Sequence, residues 1–405
     1  MGTDDTPSRG RQTIDRLLPS QQGRVLVRES VKLMNVPFGS LKRELDDCGD
    51  EIRAAVERVI ESGWFILGRE VEGFEAEFSG YLGGSPVVGV GSGTEAIHLA
   101  LIAAGVERGD YVVTVPNTAV PTVSAISAAG ATPLLVDVDV ASFTMDPVKL
   151  RELVTAQKPR LGQRLKAIVP VHLYGQCADM DPIVDVAREF ELVVVEDAAQ
   201  ASGAEYKGRR AGTFGDFGAF SFYPSKNLGC YGDGGAVVAR SNDDAQRLKM
   251  LRNYGQERRY YHEIKGFNSR LDEIQAAVLR AKLRRLEAWN ERRRQIAGLY
   301  QAMIENPLVR KPTCMDYAAH AWHLFVIRHP QRNRLAAALA ERGVETLIHY
   351  PVPIHLQRAY RDLDLREGAY PVAEAAASEV LSLPMFPQLA EDEIEYVCRQ
   401  VDANE

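Results

Sequence analysis

Residues 86–105 read PVVGVGSGTEAIHLALIAAG, a short apolar run that passes through small residues into a helical pattern. The valines are typical of a buried strand, and the apolar residues after Gly93 recur with the period of a helix. The same alternation continues along the chain in YVVTVP, TPLLVDV, KAIVPVHLYG, LVVVEDAA, FGAFSFYP and GGAVVAR. Near-continuous apolar strands separated by helices indicate a mostly parallel sheet with helices on both faces. The sequence therefore predicts an α/β fold built on a seven-stranded sheet.

The composition indicates a globular protein without nucleic-acid or membrane partners. The 405 residues are 45% hydrophobic and 25% charged, and the formal net charge is −7. Negative charge disfavours binding to phosphates of nucleic acids, and the locally basic run 284–294 is expected to be a solvated helix face. No apolar run reaches the about 20 residues that a membrane span needs, and no secretory signal pattern opens the chain. We expect a cytoplasmic protein.

The helical pattern that follows GFNSR divides the chain. Apolar residues recur at near-helical spacing from Leu271 to Ile304, and Ser269 is available as an N-cap, so one long helix is expected. Beyond it, WHLFVIRH and the ETLIHY edge are predicted to be strands, and RLAAALAERG a helix. The predicted organisation is an N-terminal tail or extension over residues 1–34, a large domain over 35–285 and a smaller C-terminal α/β domain over 286–405.

Neither a disulfide framework nor a metal site is predicted. The five cysteines are odd in number, widely spaced and never in a CxxC pair, so we expect reduced thiols. His320 and His323 form an HxxH pair, but no third ligand of suitable spacing accompanies them. A packed or substrate-facing role is favoured for both histidines.

The turn between strand and helix in residues 89–101, GVGSGTEAIHLAL, is a candidate anion site. Small residues precede the helix, so the backbone N–H groups at Gly93 and Thr94 are open to a phosphate or carboxylate. The glycine spacing matches neither a GxGxxG fingerprint nor a Walker A loop. A tight turn without a ligand explains this stretch equally well when it is taken in isolation.

An acidic pair, Glu196 and Asp197, follows the three valines of LVVVED, where a buried strand should end. Burial of a carboxylate costs free energy unless a cation or several hydrogen-bond donors compensate. Asp197 therefore suggests a positively charged ligand atom. The alternative is an aspartate that caps the following turn.

The run FSFYPSKNLGCYGDGGAVV, residues 220–238, places Lys226 on a loop after a further strand. Ligands of parallel sheets bind beyond the carboxyl ends of the strands, so the anion site, Asp197 and Lys226 are expected to face one crevice. Pyridoxal phosphate (PLP) has a phosphate, a protonatable ring nitrogen and an aldehyde, which match this anchor, counter-ion and amine. Asp197 would keep the ring nitrogen protonated, and a desolvated Lys226 would form the Schiff base.

Five stretches together resemble one known family. VEDAAQ, FSFYPSKNLG, GDGGAVV, NSRLDEIQAA and HYPVPIH are similar to the DegT/DnrJ/EryC1/StrS sugar aminotransferases, which have fold type I, over a span from about Pro37 to Ser382. Within the family, the chain most resembles enzymes that aminate nucleotide-linked 3-keto-6-deoxyhexoses. The resemblance implies PLP that cycles through pyridoxamine phosphate, a ketosugar substrate with dTDP as the favoured nucleotide, and L-glutamate as amino donor. It also implies a homodimer with shared active sites.

The resemblance assigns cofactor-binding roles by position. Lys226 matches the Schiff-base lysine and Asp197 the partner of the ring nitrogen, and both are predicted to be catalytic. Gln200 matches the residue that hydrogen-bonds the ring hydroxyl, and Asn268 an asparagine that reaches the cofactor phosphate of the neighbouring subunit. The phosphate-binding positions of the same chain match Gly93, Thr94 and Ser221.

Substrate-binding roles follow from segments that line the sugar-nucleotide side of the cleft in the family. These segments contain His172, Tyr174, Tyr223, Tyr254, His349, Tyr350 and His355. The tyrosines of NYGQERRYYHE, with Arg258 and Arg259 beside them, either pack in the core or meet the diphosphate and base of a nucleotide sugar.

One position departs from the family pattern. Relatives place an aromatic or similarly large residue after the Thr of their NT or HT pair, where it stacks on the cofactor ring, whereas PNTAVPT has Ala119. Either another side chain covers that face of the ring, or the cleft is roomier.

Alternative functions stay open at the level of sequence. Amination of a 4-ketosugar or of a keto-inositol uses the same family machinery. Related sugar dehydratases replace the Schiff-base lysine with histidine, and position 226 is lysine, which disfavours that chemistry. A non-catalytic PLP-binding regulator or scaffold is the alternative of another class, but Lys226, Asp197 and Gln200 are all present.

Overall fold

A computed structural model of the protein describes residues 14–18, 25–29 and 33–404. Most of the predicted N-terminal tail, residues 1–34, lies outside these ranges. Its two described strands, β1 (Ile14–Leu18) and β2 (Val25–Glu29), pair antiparallel with each other.

Strands and helices alternate through the first two thirds of the chain, as the sequence predicts. The further strands are β3 (Val87–Val90), β4 (Tyr111–Thr114), β5 (Thr132–Leu135), β6 (Leu165–Ile168), β7 (Val193–Asp197), β8 (Glu205–Tyr206), β9 (Arg209–Arg210), β10 (Phe217–Ser221), β11 (Gly235–Ala239), β12 (Gln256–Arg258), β13 (Tyr261–His262), β14 (Ala318–Ala319), β15 (Phe325–Arg328) and β16 (Val380–Leu383). The α-helices are α1 (Leu41–Ser62), α2 (Arg69–Tyr81), α3 (Gly93–Ala103), α4 (Val120–Ala128), α5 (Pro147–Leu161), α6 (Met180–Glu189), α7 (Asn242–Leu251), α8 (Glu273–Leu283), α9 (Leu286–Met303), α10 (Arg332–Glu341), α11 (Pro371–Glu379) and α12 (Glu391–Asp402).

The central sheet has seven strands in the order β3-β11-β10-β7-β6-β4-β5. The pairs β10/β7, β7/β6, β6/β4 and β4/β5 are parallel, and β11 alone runs antiparallel to both of its neighbours. These strands are the seven apolar runs singled out in the sequence, which confirms the mostly parallel α/β sheet. All the parallel strands therefore direct their carboxyl ends to one edge, where ligands of such sheets bind.

Helices cover both faces of this sheet. On one face, Phe74 of α2, Leu150 of α5 and Ile183 of α6 belong to one buried cluster. On the other face, Ile97 of α3 and Leu248 of α7 pack in a second cluster, together with residues of α4. Because helices pack on both faces of the sheet, a ligand can bind only at an edge of the sheet.

A third buried cluster lies in the C-terminal part of the chain. Residues of α9, α10 and α12 pack there against the antiparallel pair β15 and β16, with Tyr300 and Phe325 at the centre. The predicted strand WHLFVIRH and the predicted helix RLAAALAERG are present as β15 and α10. ETLIHY is not a strand: only Leu347 forms an isolated bridge, to Ser382. The boundary at residues 285 and 286 stays a prediction.

The single long helix predicted after GFNSR is wrong. Two helices, α8 and α9, replace it, and the N–H of Arg285 bonds the carbonyl of Lys282 at 2.9 Å in a tight turn that closes α8. Ser269 is not the N-cap, because α8 begins after Asp272. The Ser269 hydroxyl instead accepts from the N–H of Gly91 at 3.2 Å and donates to Glu95 at 2.8 Å. It thus braces the turn between β3 and α3.

The cysteines are unpaired thiols, as predicted, and only Cys314 is exposed. His320 is buried and stacks on Trp322 with ring centroids 3.8 Å apart. His323 is also buried and contacts the side-chain oxygen of Asn227. Within residues 33–404 and the two short strands before them, no helix combines the length and apolar character of a membrane span.

Candidate active site

A cavity of about 370 Å³ lies at the carboxyl edge of the sheet, beyond β3, β7 and β10. Eight of the predicted site residues line it, namely Gly93, Thr94, Asp197, Gln200, Ser221, Tyr223, Lys226 and Tyr350. A larger cavity of about 750 Å³ lies near the start of β10 and the end of β11, away from all of these residues. The smaller cavity is therefore the candidate active site.

The N-terminus of α3 forms one wall of this cavity. Ser92 caps the helix by accepting from the N–H of Glu95 at 3.2 Å, which leaves the N–H groups of Gly93 and Thr94 without a helical partner. A Cβ on Gly93 would lie 2.5 Å from Cβ of Ser221, so glycine lets the helix end approach β10. Free N–H groups at a helix N-terminus beside a serine suit a phosphate.

Asp197 ends β7 and is 5% exposed. One carboxylate oxygen accepts from the Thr122 hydroxyl at 2.7 Å and the other from the N–H of Ala199 at 3.1 Å. Burial raises the pKa of Asp197, whereas the hydrogen bond from Thr122, the N–H of Ala199 and the charge of Lys226 act in the opposite direction. A cationic ligand atom at this carboxylate would also lower the pKa of Asp197 and so favour its ionised form.

Lys226 lies on the loop after β10 and faces the same cavity. Its backbone N–H bonds the carbonyl of Tyr223 at 2.9 Å, and the next residue, Asn227, donates to Asn290 and to the carbonyl of Ala321, each at 2.8 Å. These bonds hold the loop while the amine stays free to react. Burial lowers the pKa of Lys226 to about 8, and the charge of Asp197 opposes this shift.

The acidic pair of the sequence is divided by the pleat of β7, because successive side chains of a strand point to opposite faces. Glu196 is fully buried and accepts hydrogen bonds from the N–H groups of Gly212, Phe214 and Gly215 and from His172. Its carboxylate therefore anchors the loop before β10 and has no part in the cavity.

Gln200, Tyr350, Tyr174 and His349 form a connected group beside Asp197. The Gln200 amide oxygen accepts from the N–H of Tyr174 at 2.7 Å, and its nitrogen donates to the Tyr350 hydroxyl at 3.0 Å. The Tyr174 hydroxyl donates to the carbonyl of His349, whose Nδ1 contacts Ser382 at 2.8 Å. Tyr174 and His349 thus stand behind the wall of the cavity, and Gln200 keeps one amide hydrogen for a ligand.

His172 and His355, two of the predicted substrate-binding residues, lie outside the lining of the cavity. His172 is fully buried, contacts Glu196 at 2.9 Å and accepts from the N–H of Ala178 at 3.1 Å. His355 is 2% exposed and contacts Glu374 at 2.9 Å. Both rings are thus occupied by a neighbouring carboxylate, and their substrate-binding roles stay predictions.

Asn268 and Tyr254 lie on an exposed segment that does not line the cavity of their own chain. Asn268 bridges to Asn253. Two further tyrosines between them are not core residues, because Tyr260 is 77% and Tyr261 53% exposed. The guanidinium of Arg258 lies 3.9 Å from the ring centroid of Tyr261. A role for this segment in the same site requires a second copy of the chain.

The sequence profile of the DegT/DnrJ/EryC1/StrS aminotransferase family matches residues 46–402. The chain belongs to this family. A dTDP-3-amino-3,4,6-trideoxy-alpha-D-glucose transaminase from Streptomyces venezuelae is 46% identical over 355 residues, which are 87% of this chain and 92% of that protein. The erythromycin biosynthesis sensory transduction protein EryC1 from Saccharopolyspora erythraea is 45% identical over 371 residues, which are 91% and 100% of the two chains.

The solved structures lead to the same family. Streptomyces venezuelae DesV in complex with a ketimine intermediate matches the fold with a TM-score of 0.88 at 45% identity, over 91% of this chain and 98% of that one. Solved relatives hold the cofactor in its PLP and its pyridoxamine phosphate forms. This member of the DegT/DnrJ/EryC1/StrS family is a PLP-dependent aminotransferase.

The residues of the cavity fit this cofactor. The α3 N-terminus and Ser221 present N–H and hydroxyl groups for a phosphate, Asp197 presents a buried carboxylate for a ring cation, and Lys226 presents an amine. Gly93 packs too closely against Ser221 for a side chain, so the α3 N-terminus and Ser221 lie side by side on the lining of the cavity. Ala119 is the N-cap residue of α4 and lines the cavity, and the aromatic residues on the lining are Tyr223 and Tyr350.

Two functional candidates of this family member escaped the sequence analysis. Thr118 and Thr122 line the cavity, both are buried, and their hydroxyls lie 2.8 Å apart. They stand four residues apart in PNTAVPT, after a strand whose carboxyl end faces the cavity. The two threonines are visible in the sequence, but Thr118 precedes Ala119, the N-cap of α4, so only the fold shows that their hydroxyls meet.

The depressed pKa of Lys226 predicts how the apoenzyme captures its cofactor. Only the neutral amine attacks an aldehyde. Because the pKa of Lys226 is about 8, the neutral amine becomes the main form at a lower pH than for an ordinary lysine. We expect the second-order rate of PLP capture to increase with pH and to level off above about pH 8. Stopped-flow absorbance over a pH series measures it; a rate that still climbs tenfold per unit above pH 9 would contradict this assignment.

Proposed function

We propose that the protein transfers the amino group of L-glutamate to a nucleotide-linked 3-keto-6-deoxyhexose, with dTDP as the nucleotide, and so forms the 3-amino sugar. This proposal rests mainly on one observation: Lys226, Asp197 and the α3 N-terminus line the same cavity of an aminotransferase fold. Relatives at 45% and 46% identity, over most of their length, carry names of dTDP-3-amino sugar transaminases, which supports the choice of sugar.

Three parts of the cavity, namely Asp197, Lys226 and the start of α3, have a defined task in this reaction. Bound PLP supplies an electron sink for the charge that develops when a proton leaves the carbon next to nitrogen. Asp197 holds the ring nitrogen in its protonated form, and the N–H groups at the start of α3 hold the phosphate. Lys226 moves the proton as general base and then general acid. Glutamate leaves as its keto acid, and the ketosugar leaves as an amine.

The open side of the cavity suits a sugar. Tyr223 is 57% exposed at its rim, Tyr350 lines its wall, and the small Ala119 leaves space that an aromatic side chain would fill. Burial raises the pKa of Tyr350 to about 12, so its phenol stays protonated and can donate to a sugar hydroxyl. The same open space is the reason why a sugar ring, rather than a short keto acid alone, is the expected second substrate.

A homodimer with shared active sites is part of the proposal. Asn268 and Tyr254 lie away from their own cavity on an exposed segment, and an asparagine at this position contacts the partner's cofactor in the family that the chain resembles. Light scattering is expected to give twice the 44.8 kDa mass of one chain. A cytoplasmic location without membrane or nucleic-acid partners stays predicted from the sequence.

A panel of ketosugars tests the substrate. The holoenzyme with L-glutamate is incubated with dTDP-linked 3-keto-6-deoxyhexoses, their 4-keto isomers and a keto-inositol, and the products are identified by mass spectrometry and NMR. We expect amination of the 3-keto sugar at a kcat/KM at least about tenfold above that of the 4-keto isomer. Preferred amination of a 4-ketosugar or keto-inositol would replace the proposed substrate within the same chemistry.

A regulator or scaffold is the candidate of another class, and the name of the EryC1 relative describes sensory transduction. Absorbance separates this candidate from the enzyme. We expect the purified holoenzyme to be yellow and to bleach when glutamate is added, since the amine then passes to the cofactor. A colourless protein that takes up no PLP would favour the scaffold.

A further inference from the structure

Two buried hydroxyls stand in line behind the carboxylate of Asp197. Oγ1 of Thr122 lies 2.7 Å from Oδ2 of Asp197 and 2.8 Å from Oγ1 of Thr118. Thr118 and Thr122 are 3% and 1% exposed. The hydroxyls are held by the start of α4, where the N–H of Thr122 bonds the carbonyl of Ala119 at 3.2 Å. Bulk water therefore does not compete for these positions.

The direction of the two hydrogen bonds follows from the number of hydrogens. An ionised carboxylate only accepts, so the single hydroxyl hydrogen of Thr122 must point to Asp197. Thr122 then accepts from Thr118. Such a chain polarises in one direction and strengthens the final bond, whose length of 2.7 Å fits a hydroxyl that donates to a carboxylate.

We propose that Thr122, supported by Thr118, is a positioning residue that keeps Asp197 ionised and correctly oriented toward the ring nitrogen of PLP. The inference rests on the proposed pairing of Asp197 with that nitrogen. Two other charged or titratable groups lie near the carboxylate, but neither is free for this task. Lys226 would bond the cofactor aldehyde, and the His172 ring contacts Glu196. The N–H of Ala199 contacts the other oxygen, at the longer distance of 3.1 Å.

Loss of the Thr122 hydroxyl has a specific consequence. Thr122→Val keeps the shape of the side chain but leaves Asp197 with one donor fewer, so the carboxylate becomes a stronger base. The proton between Asp197 and the ring then shifts toward the carboxylate. The ring loses part of its positive charge, and the cofactor binds more weakly.

The experiment uses PLP labelled with ¹⁵N in the ring and the full-length holoenzyme. In the wild-type protein, the nitrogen signal is expected at the pyridinium position. In Thr122→Val it is expected to move toward the neutral-pyridine position, with a cofactor Kd raised about tenfold. Thr122→Ser, which restores the hydroxyl, should return both values, and Thr118→Val should produce a smaller shift in the same direction.

Thr114→Val is the matched control, because Thr114 is a fully buried threonine on β4 whose hydroxyl donates to the carbonyl of Val169 at 2.9 Å, away from Asp197. It should lower the unfolding midpoint without moving the nitrogen signal. A folded Thr122→Val protein with an unmoved signal overturns the inference. A neutral-ring signal in the wild-type protein overturns the pairing of Asp197 itself, whatever the result of the ketosugar panel.

Discussion

Replacement of Lys226 by alanine is expected to lower kcat for amino transfer at least about a thousandfold, because one side chain both bonds the cofactor and moves the proton. The loop that carries position 226 is held independently, by Asn227 and by the buried Lys282, whose ammonium donates to the carbonyl of Gly229 at 2.6 Å. The variant should therefore fold and keep the cavity. Its loss of activity would report on the amine rather than on the architecture.

Two measurements check this result. After dialysis, the Lys226→Ala protein should lack the visible absorbance of the bound cofactor, and its turnover with glutamate and ketosugar should be lost together with it. Added ethylamine, which enters the space of the missing side chain, is expected to restore part of the proton transfer. The control is Lys207→Ala, which removes an exposed lysine paired with Asp181 at 2.6 Å and should leave both values unchanged. Full turnover by Lys226→Ala would end the account of this site.

The fold could be predicted because each central strand is a separate apolar run between turn residues. The local sequence pattern did not predict the length or the existence of a strand where contacts with other parts of the chain determine them. KAIVPVHLYG contributes only residues 166–168 to β6 (Leu165–Ile168). Pro170 has no N–H to donate, and beyond it the pairing with β7 continues only as an isolated bridge from Val171 to Asp197. ETLIHY has strand-like residues, but it meets β16 at a single bridge.

The site could be predicted in part for a related reason. Asp197 is the last residue of β7, Gly93 opens the helix after β3, and Lys226 lies on the loop after β10, so the parallel sheet places all three at one edge. His172 also follows a strand, yet its ring turns to Glu196 on the covered face, and the direction of a side chain just past a strand end depends on the local turn. Thr122 became visible only when α4 was placed beside β7.

Replacement of Asp197 by asparagine is expected to lower kcat at least about a hundredfold. An opposite charge beside an ionisable group shifts its pKa by about 1–3 units, so loss of the carboxylate lowers the pKa of the ring nitrogen of PLP by this amount. Each unit costs about 1.4 kcal/mol in the stability of the charged ring, which the reaction needs as an electron sink. The amide keeps the size of the side chain and can still accept from Thr122.

The expected pattern separates charge from packing. Asp197→Asn should bind PLP more weakly than the wild type but show its visible absorbance at saturating cofactor, because Lys226 and the α3 N-terminus are intact, while single-turnover rates with glutamate fall. Burial opposes the ionised form of Asp197, so the neutral variant should unfold at an equal or higher urea concentration than the wild-type apoprotein. Asp197→Ala loaded with a ring-N-methylated cofactor, whose positive charge needs no carboxylate, should recover part of the lost rate. Wild-type rates in Asp197→Asn, or no recovery with the methylated ring, would show that the carboxylate acts on something other than the charge of the cofactor.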